Sequence, residues 1–119
     1  APATAAAPTI RFSLKGAYAV KVMRGCGEKS THHYAHFRSG LRISFSGRIS
    51  PAPRRGFRVK IKLKRCVGGK DFRTLRETSV RGGSRGRFSG GVASPGRGIY
   101  WLRAYYGGKS SKKEQLRVT

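Results

Sequence analysis

Residues Gly56–Cys66 read GFRVKIKLKRC: apolar Phe57, Val59, Ile61 and Leu63 alternate with basic Arg58, Lys60, Lys62 and Lys64, and no acid interrupts them. Successive side chains of an extended chain point to opposite faces, so a period of two predicts a β-strand. The apolar set is expected to pack on a core. The four cations then recur along the outer face every ~6.8 Å, twice the ~3.4 Å rise per residue. Lysines on an exposed strand also guard a sheet edge against aggregation. The row alone therefore does not establish a ligand, and the rest of the chain has to decide.

The same alternation recurs on both sides. IRFSLK places Ile10, Phe12 and Leu14 on one face, YAVKVM places Tyr18, Val20 and Val22, and LRISFS places Leu41, Ile43 and Phe45. DFRTLRETSV, RFSGGV, IYWLRAYY and EQLRVT read as further strands, separated by the Pro- and Gly-punctuated SPAPRRG, ASPGRG and GGKSS. No segment keeps a helical period. Seven or eight short strands with regularly spaced turns predict an antiparallel β-sandwich, a single domain over residues 10–119. The preceding residues 1–9, APATAAAPT, are expected to be a flexible Ala/Pro-rich lead. VRGGSRGRFSGG has the look of a disordered nucleic-acid-binding segment, but it lies between two strands and is expected to be a hairpin loop that presents Arg81, Arg85 and Arg87.

Charge sets the chain apart. It carries 27 Lys plus Arg against four acids, a formal net charge of +23. Solubility of a small domain asks for a net charge of only about 2 to 8, and a larger excess works against compaction. Between Glu28 and Asp71 there is no carboxylate, while Arg38, Arg42, Arg48, Arg54, Arg55 and Arg65 join the strand cations. Glu28, Asp71, Glu77 and Glu114 can neutralise only a few of these. An anionic partner is the expectation.

Cys26 and Cys66 are the two cysteines and lack the C-x-x-C spacing of a redox pair or zinc ribbon. In a secreted chain an even count reads as one disulfide. The opening APATAAAPT resembles the small-residue segment left where a leader has been removed, which gives secretion as the expected setting. No run of apolar residues reaches the 18 or so needed for a membrane span.

From about Leu41 to Thr119, the succession SGRISPAPRRGFRVKIKLKRC, DFRTLRETSV, GRFSG, SPGRGIYWLRAYYGG and LRVT resembles an immunoglobulin-like repeat of secreted actinobacterial proteins. The resemblance implies an immunoglobulin-like sandwich in an extracellular setting and brings no catalytic residues. Residues before Leu41 fall outside that pattern and are expected to add strands fastened by Cys26.

Candidates for chemistry are few. THHYAHF holds His32, His33 and His36, which would share a metal only if His32 and His36 stood one helical turn apart. The segment reads as extended or irregular, so the expectation is a surface loop that gains charge below about pH 6.5, the ordinary histidine pKa, and no resident metal or cofactor. No pair of carboxylates is placed for glycoside hydrolysis, no serine sits in a strand-to-helix elbow, and GGSRGRFSGG lacks the Walker lysine. A non-enzyme is expected. In IYWLRAYY, Tyr100, Leu102, Ala104 and Tyr106 share one face, and Trp101, Arg103 and Tyr105 the other. If the second face is outward, it forms a stacking platform for bases or sugar rings; if inward, Trp101 fills the core.

These readings converge on a secreted cationic sandwich that binds polyanions such as nucleic acid, teichoic acid or sulfated glycan. The named cations are Arg58, Lys60, Lys62 and Lys64, then Arg54 and Arg55, with Arg81, Arg85 and Arg87 from the glycine-rich loop. Three alternatives remain open: a cationic antimicrobial or antifungal effector at anionic envelopes, an inhibitor or partner of an acidic secreted protein through ISPAPRRG, and a carbohydrate-binding module.

Overall fold

The computed structural model describes residues 7–119. Its strands in chain order are β1 (Thr9–Lys15), β2 (Ala19–Met23), β3 (His32–Phe37), β4 (Ile43–Ser50), β5 (Arg58–Val67), β6 (Asp71–Arg81), β7 (Arg87–Val92), β8 (Gly98–Tyr106), β9 (Lys109–Ser110) and β10 (Glu114–Val118). They form two sheets. The smaller runs β1-β4-β7, and the larger runs β2-β3-β10-β8-β5-β6 with β9 paired to β8. The all-β sandwich expected from the alternation is present, with ten strands rather than seven or eight, and with one parallel pair, β3 with β10, in a set otherwise antiparallel. Most of the 1–9 lead lies outside the described residues, and its last residue, Thr9, already opens β1.

The core explains why the alternation was so clear. Ile43, Phe45, Ile49 and Phe88 of the small sheet face Val59, Ile61, Leu63, Tyr100, Leu102 and Leu116 of the large one in a single apolar cluster. Val59, Ile61 and Leu63 of β5 are buried in alternation with the cations, in step with GFRVKIKLK. Glycines let the phenylalanine rings lie flat across neighbouring strands. Phe12 and Phe88 flank Gly47 in register, and their rings stack 6.3 Å apart. A Cβ at Gly90, opposite Phe45, would sit 2.9 Å from that ring, so glycine is what this position of β7 accommodates, and RFSGGV is the strand that its pattern predicts.

Two local expectations change. The segment after β6 is not a hairpin loop. Gly82–Gly86, including a short 3-10 turn at Ser84–Gly86, carries the chain from the large sheet to the small one. Arg85 takes φ +57° and Gly86 φ +73° there, a left-handed corner in which glycine is at ease. The Val20–Val22 face of β2 is also not core. β2 is an edge strand of the large sheet, and Val20 and Val22 remain 63% and 58% exposed. Leu41 is likewise exposed, just ahead of β4.

A second packed cluster lies on the other side of the large sheet. Cys26 and Cys66 are disulfide-bonded across 40 residues, which pins the segment between β2 and β3 against the sheet. Under it Tyr34 is fully buried, and its hydroxyl donates to the Glu28 carboxylate, which also accepts from Gln115 Nε2 at 3.1 Å. A β-bulge sets the edge of this cluster. The pairing of β6 with β5 slips at Leu63/Lys64, leaving Leu75 as the extra residue. One extra residue flips the faces of all that precede it. Phe72 is thereby brought beside Cys66 and tilts against Trp101, ring centroids 6.1 Å apart.

Candidate functional site

Because Val59, Ile61 and Leu63 point into the core, Arg58, Lys60, Lys62 and Lys64 must emerge together on the outer face of the large sheet. Their cross-strand neighbours complete the surface. On one side Arg81, Ser79 and Glu77 of β6 stand opposite Arg58, Lys60 and Lys62. On the other, Tyr105, Arg103 and Trp101 of β8 stand opposite Lys60, Lys62 and Lys64. A shallow groove of about 450 Å³ runs here, lined by Arg58, Lys60, Lys62, Tyr105 and Lys109 among others.

Glu77 is the carboxylate on this stretch of the face. It pairs with Lys60 at 3.0 Å, both groups being substantially exposed. The hydrogen bond from Lys60, with the nearby charges of Lys60 and Lys62, holds its carboxyl below the usual range. Exposed pairs of this kind contribute little to stability. Their effect is to lower the field that an incoming anion feels.

The outward face of β8 settles the alternative left open by IYWLRAYY. Tyr100, Leu102 and Ala104 are core, and Trp101, Arg103 and Tyr105 point away from it. Trp101 is nevertheless only 4% exposed, because Phe72 and two ammonium groups cover it. Lys64 Nζ lies 5.1 Å from its ring centroid and Lys113 Nζ 5.2 Å. Tyr105 is similarly occupied, with Lys62 Nζ at 5.1 Å and the Arg103 guanidinium at 5.9 Å. In this arrangement Trp101 is not an open stacking platform. The rings attract the cations electrostatically and hold them over the sheet. Arg103 is fixed further by donating from Nε to the Ser111 carbonyl at 2.7 Å. Long side chains held in this way lose less freedom when they meet an anion.

The remaining predicted cations do not join one flat patch. Arg54 and Arg55 are exposed in the loop between β4 and β5. Arg85 occupies the sheet-to-sheet corner, where its carbonyl accepts from Arg48 Nε at 3.1 Å. Arg87 opens β7 and faces outward from the small sheet. There the register places Arg11, Arg48 and Arg87 side by side on β1, β4 and β7, with Ser13, Ser46 and Ser89 forming the adjacent row. Arg11 and Arg48 were missed as site residues. Their signal was present as R-F-S at 11–13 and 87–89 and the reversed S-G-R at 46–48, but only strand pairing aligns the three.

The histidines lie in β3 and not in a loop. His32 and His36 stand on one face of an extended strand, four residues or roughly 13 Å apart, too far to share a metal ion. His32 pairs with Glu28 at 2.8 Å. His36 is 3% exposed, its Nε2 has no hydrogen-bond partner, and burial together with the charges of Lys21 and Arg117 lowers its pKa. The expected surface group that charges readily in mild acid is therefore corrected for His36. Among the described residues no group of three potential metal ligands converges.

No family model matches the chain, and no curated protein matches it. Among solved structures the chain is similar to the alkylpurine DNA glycosylase AlkC of Pseudomonas fluorescens bound to DNA containing an abasic site analog, at 13% identity and a TM-score of 0.48. The match covers 93% of this chain and 30% of that one, so the chain spans less than a third of that protein's length.

Proposed function

We propose that this chain is a polyanion-binding β-sandwich that works outside the cell and binds rather than catalyses. The observation that carries the reading is the row Arg58, Lys60, Lys62 and Lys64 on one sheet face, with Lys62 and Lys64 seated over Tyr105 and Trp101 and with Glu77 as the carboxylate among them. The ~6.8 Å repeat along β5 matches the phosphate spacing of an extended phosphodiester chain. Recognition through such a row reads backbone charge and not base edges. The disulfide supports an oxidising, extracellular setting. The resemblance to immunoglobulin-like repeats of secreted actinobacterial proteins accords with that setting and contributes nothing to the choice of anion.

The test is binding to DNA, heparin, teichoic acid and a neutral glycan at several salt concentrations. Contact of the four-cation row with about four phosphates lowers affinity by about 50- to 150-fold between 50 and 200 mM salt. A salt-independent affinity, or retention on the neutral glycan alone, defeats the proposal. A second reading, a cationic effector at anionic envelopes, draws support from Val20 and Val22 exposed on edge strand β2. Leakage of anionic vesicles at low protein concentration favours it over the first.

A further inference from the structure

The outer face of the small sheet carries an arrangement that solubility does not explain. Arg11, Arg48 and Arg87 are direct register partners, so three guanidinium-bearing residues sit in one transverse row across three strands. Like charges directly opposite one another destabilise a sheet. The next row, Ser13, Ser46 and Ser89, supplies hydroxyl donors and no acid. Arginine forks and hydroxyl groups together suit the tetrahedral oxygens of a phosphate ester. A groove of about 920 Å³ runs over these rows, and the residues lining it include no carboxylate.

This groove does not stop at the small sheet. Arg55 and Arg81 line it alongside Arg87, and the same two line a smaller depression of about 400 Å³ with Gly56, Gly82 and Gly83 at the sheet-to-sheet corner. Arg81 is also the cross-strand partner of Arg58, the first cation of the β5 row. Cations therefore continue from Lys64 along β5 to Arg58, across Arg81 and Arg55 at the corner, and on to Arg87, Arg48 and Arg11.

We propose that a single flexible phosphodiester chain, single-stranded nucleic acid in class, wraps this end of the sandwich and occupies both outer faces at once. The inference rests on the polyanion reading above and adds the second face, the path and the type of chain. The β5 row measures ~20 Å, the step to Arg81 ~5 Å and the arginine row ~10 Å, from strand rise and spacing. With the corner included, the path accommodates more than about five phosphates at ~6.8 Å each, against about four for the β5 row alone. The two faces lie on opposite sides of the core, so a stiff rod touches only one. Duplex DNA, with a persistence length of about 50 nm, does not fold round a body of this thickness, and a single strand does.

The experiment measures binding of the full chain to oligothymidylates of about 4, 8 and 12 nucleotides, a range that brackets the expected footprint. Affinity is expected to climb more than tenfold from the shortest to the longest, and the salt slope to steepen from about −2 for the shortest oligomer, which carries three phosphodiesters, to about −4 or beyond, at about 0.7 per contacted phosphate. The variant Arg11→Gln/Arg48→Gln/Arg87→Gln is expected to flatten the slope for the long oligomer by about 2 and to collapse its advantage over the short one. As a check free of any folding effect of substitution, arginine modification by phenylglyoxal in the unaltered protein should be blocked at Arg48 and Arg87 by the long oligomer and not by the short one. A salt slope that stops rising after about four nucleotides, or equal protection by both lengths, overturns the wrap and leaves the β5 reading standing. Tighter binding of duplex than of single strand at equal length also overturns it. Failure of every oligomer and every other polyanion to bind takes down both.

Discussion

Lys64 Nζ sits 5.1 Å from the centroid of the Trp101 ring, and Lys113 approaches the same ring at 5.2 Å, so the only tryptophan of the chain is roofed by two cations on the outer face of the large sheet. Its fluorescence should therefore report on the proposed site. Polyanion binding is expected to shift its emission, and Lys64→Ala/Lys113→Ala to raise its accessibility to acrylamide. Loss of two such contacts should lower stability by about 1 to 2 kcal/mol in a denaturant titration. Unchanged quenching in the double variant would show that Phe72 and the sheet alone shield the ring.

Replacing Arg58, Lys60, Lys62 and Lys64 together by alanine should weaken binding to every polyanion and flatten the salt slope by about 3. The apolar face of β5 is untouched by these changes, so the fold should persist by circular dichroism. Selective loss of one anion, with others unaffected, would contradict readout through backbone charge.

Glu77→Gln removes the carboxylate that pairs with Lys60 at 3.0 Å. The freed ammonium becomes available to a phosphate. Affinity for single-stranded DNA should rise, and the salt slope should steepen by up to about 0.7, one added phosphate contact. Thermal stability should change little, because the pair is exposed.

His36 gives a pH dependence with a definite sign. Burial, with Lys21 and Arg117 adding to it, lowers its folded pKa below the ordinary value of 6.5. The unfolded chain therefore takes up the proton first as pH falls. The contribution of His36 is constant above about pH 7, is lost progressively as pH drops through 6.5, and levels off below the folded pKa. His36→Gln should flatten the loss in that window. Glu114, whose pKa burial raises, works in the opposite sense at lower pH, so melts between about pH 6 and 7.5 isolate the histidine best.

Tyr34 is fully buried with its hydroxyl on Glu28, beneath the segment tied down by Cys26–Cys66. Tyr34→Phe should cost about 2 kcal/mol, the range for a hydrogen bond to a charged group. Replacing both cysteines by alanine should cost about 4 kcal/mol for a closed loop of this length. Reductant should reproduce that loss in the unaltered protein.

The strand alternation and the inventory of charge are legible in residue order alone. Val59, Ile61 and Leu63 set β5, and the polar positions between them had to be outward cations because a sheet offers a side chain only two directions. The surplus of positive charge was readable in the same way, while the disulfide followed from the even cysteine count together with the expected secreted setting. Everything that depends on register between distant segments came from how the strands pair in the folded sheets. That pairing turned R-F-S, S-G-R and R-F-S into one arginine row and one serine row, spaced by strand pairing and not by chain position. It sent the glycine-rich segment from one sheet to the other, left Val20 and Val22 uncovered where the smaller sheet ends, and used the slip at Leu63/Lys64 to bring Phe72 against Trp101. Local pattern fixes which way a side chain points along its own strand; which neighbours it meets depends on pairings that minimise the free energy of the whole sheet.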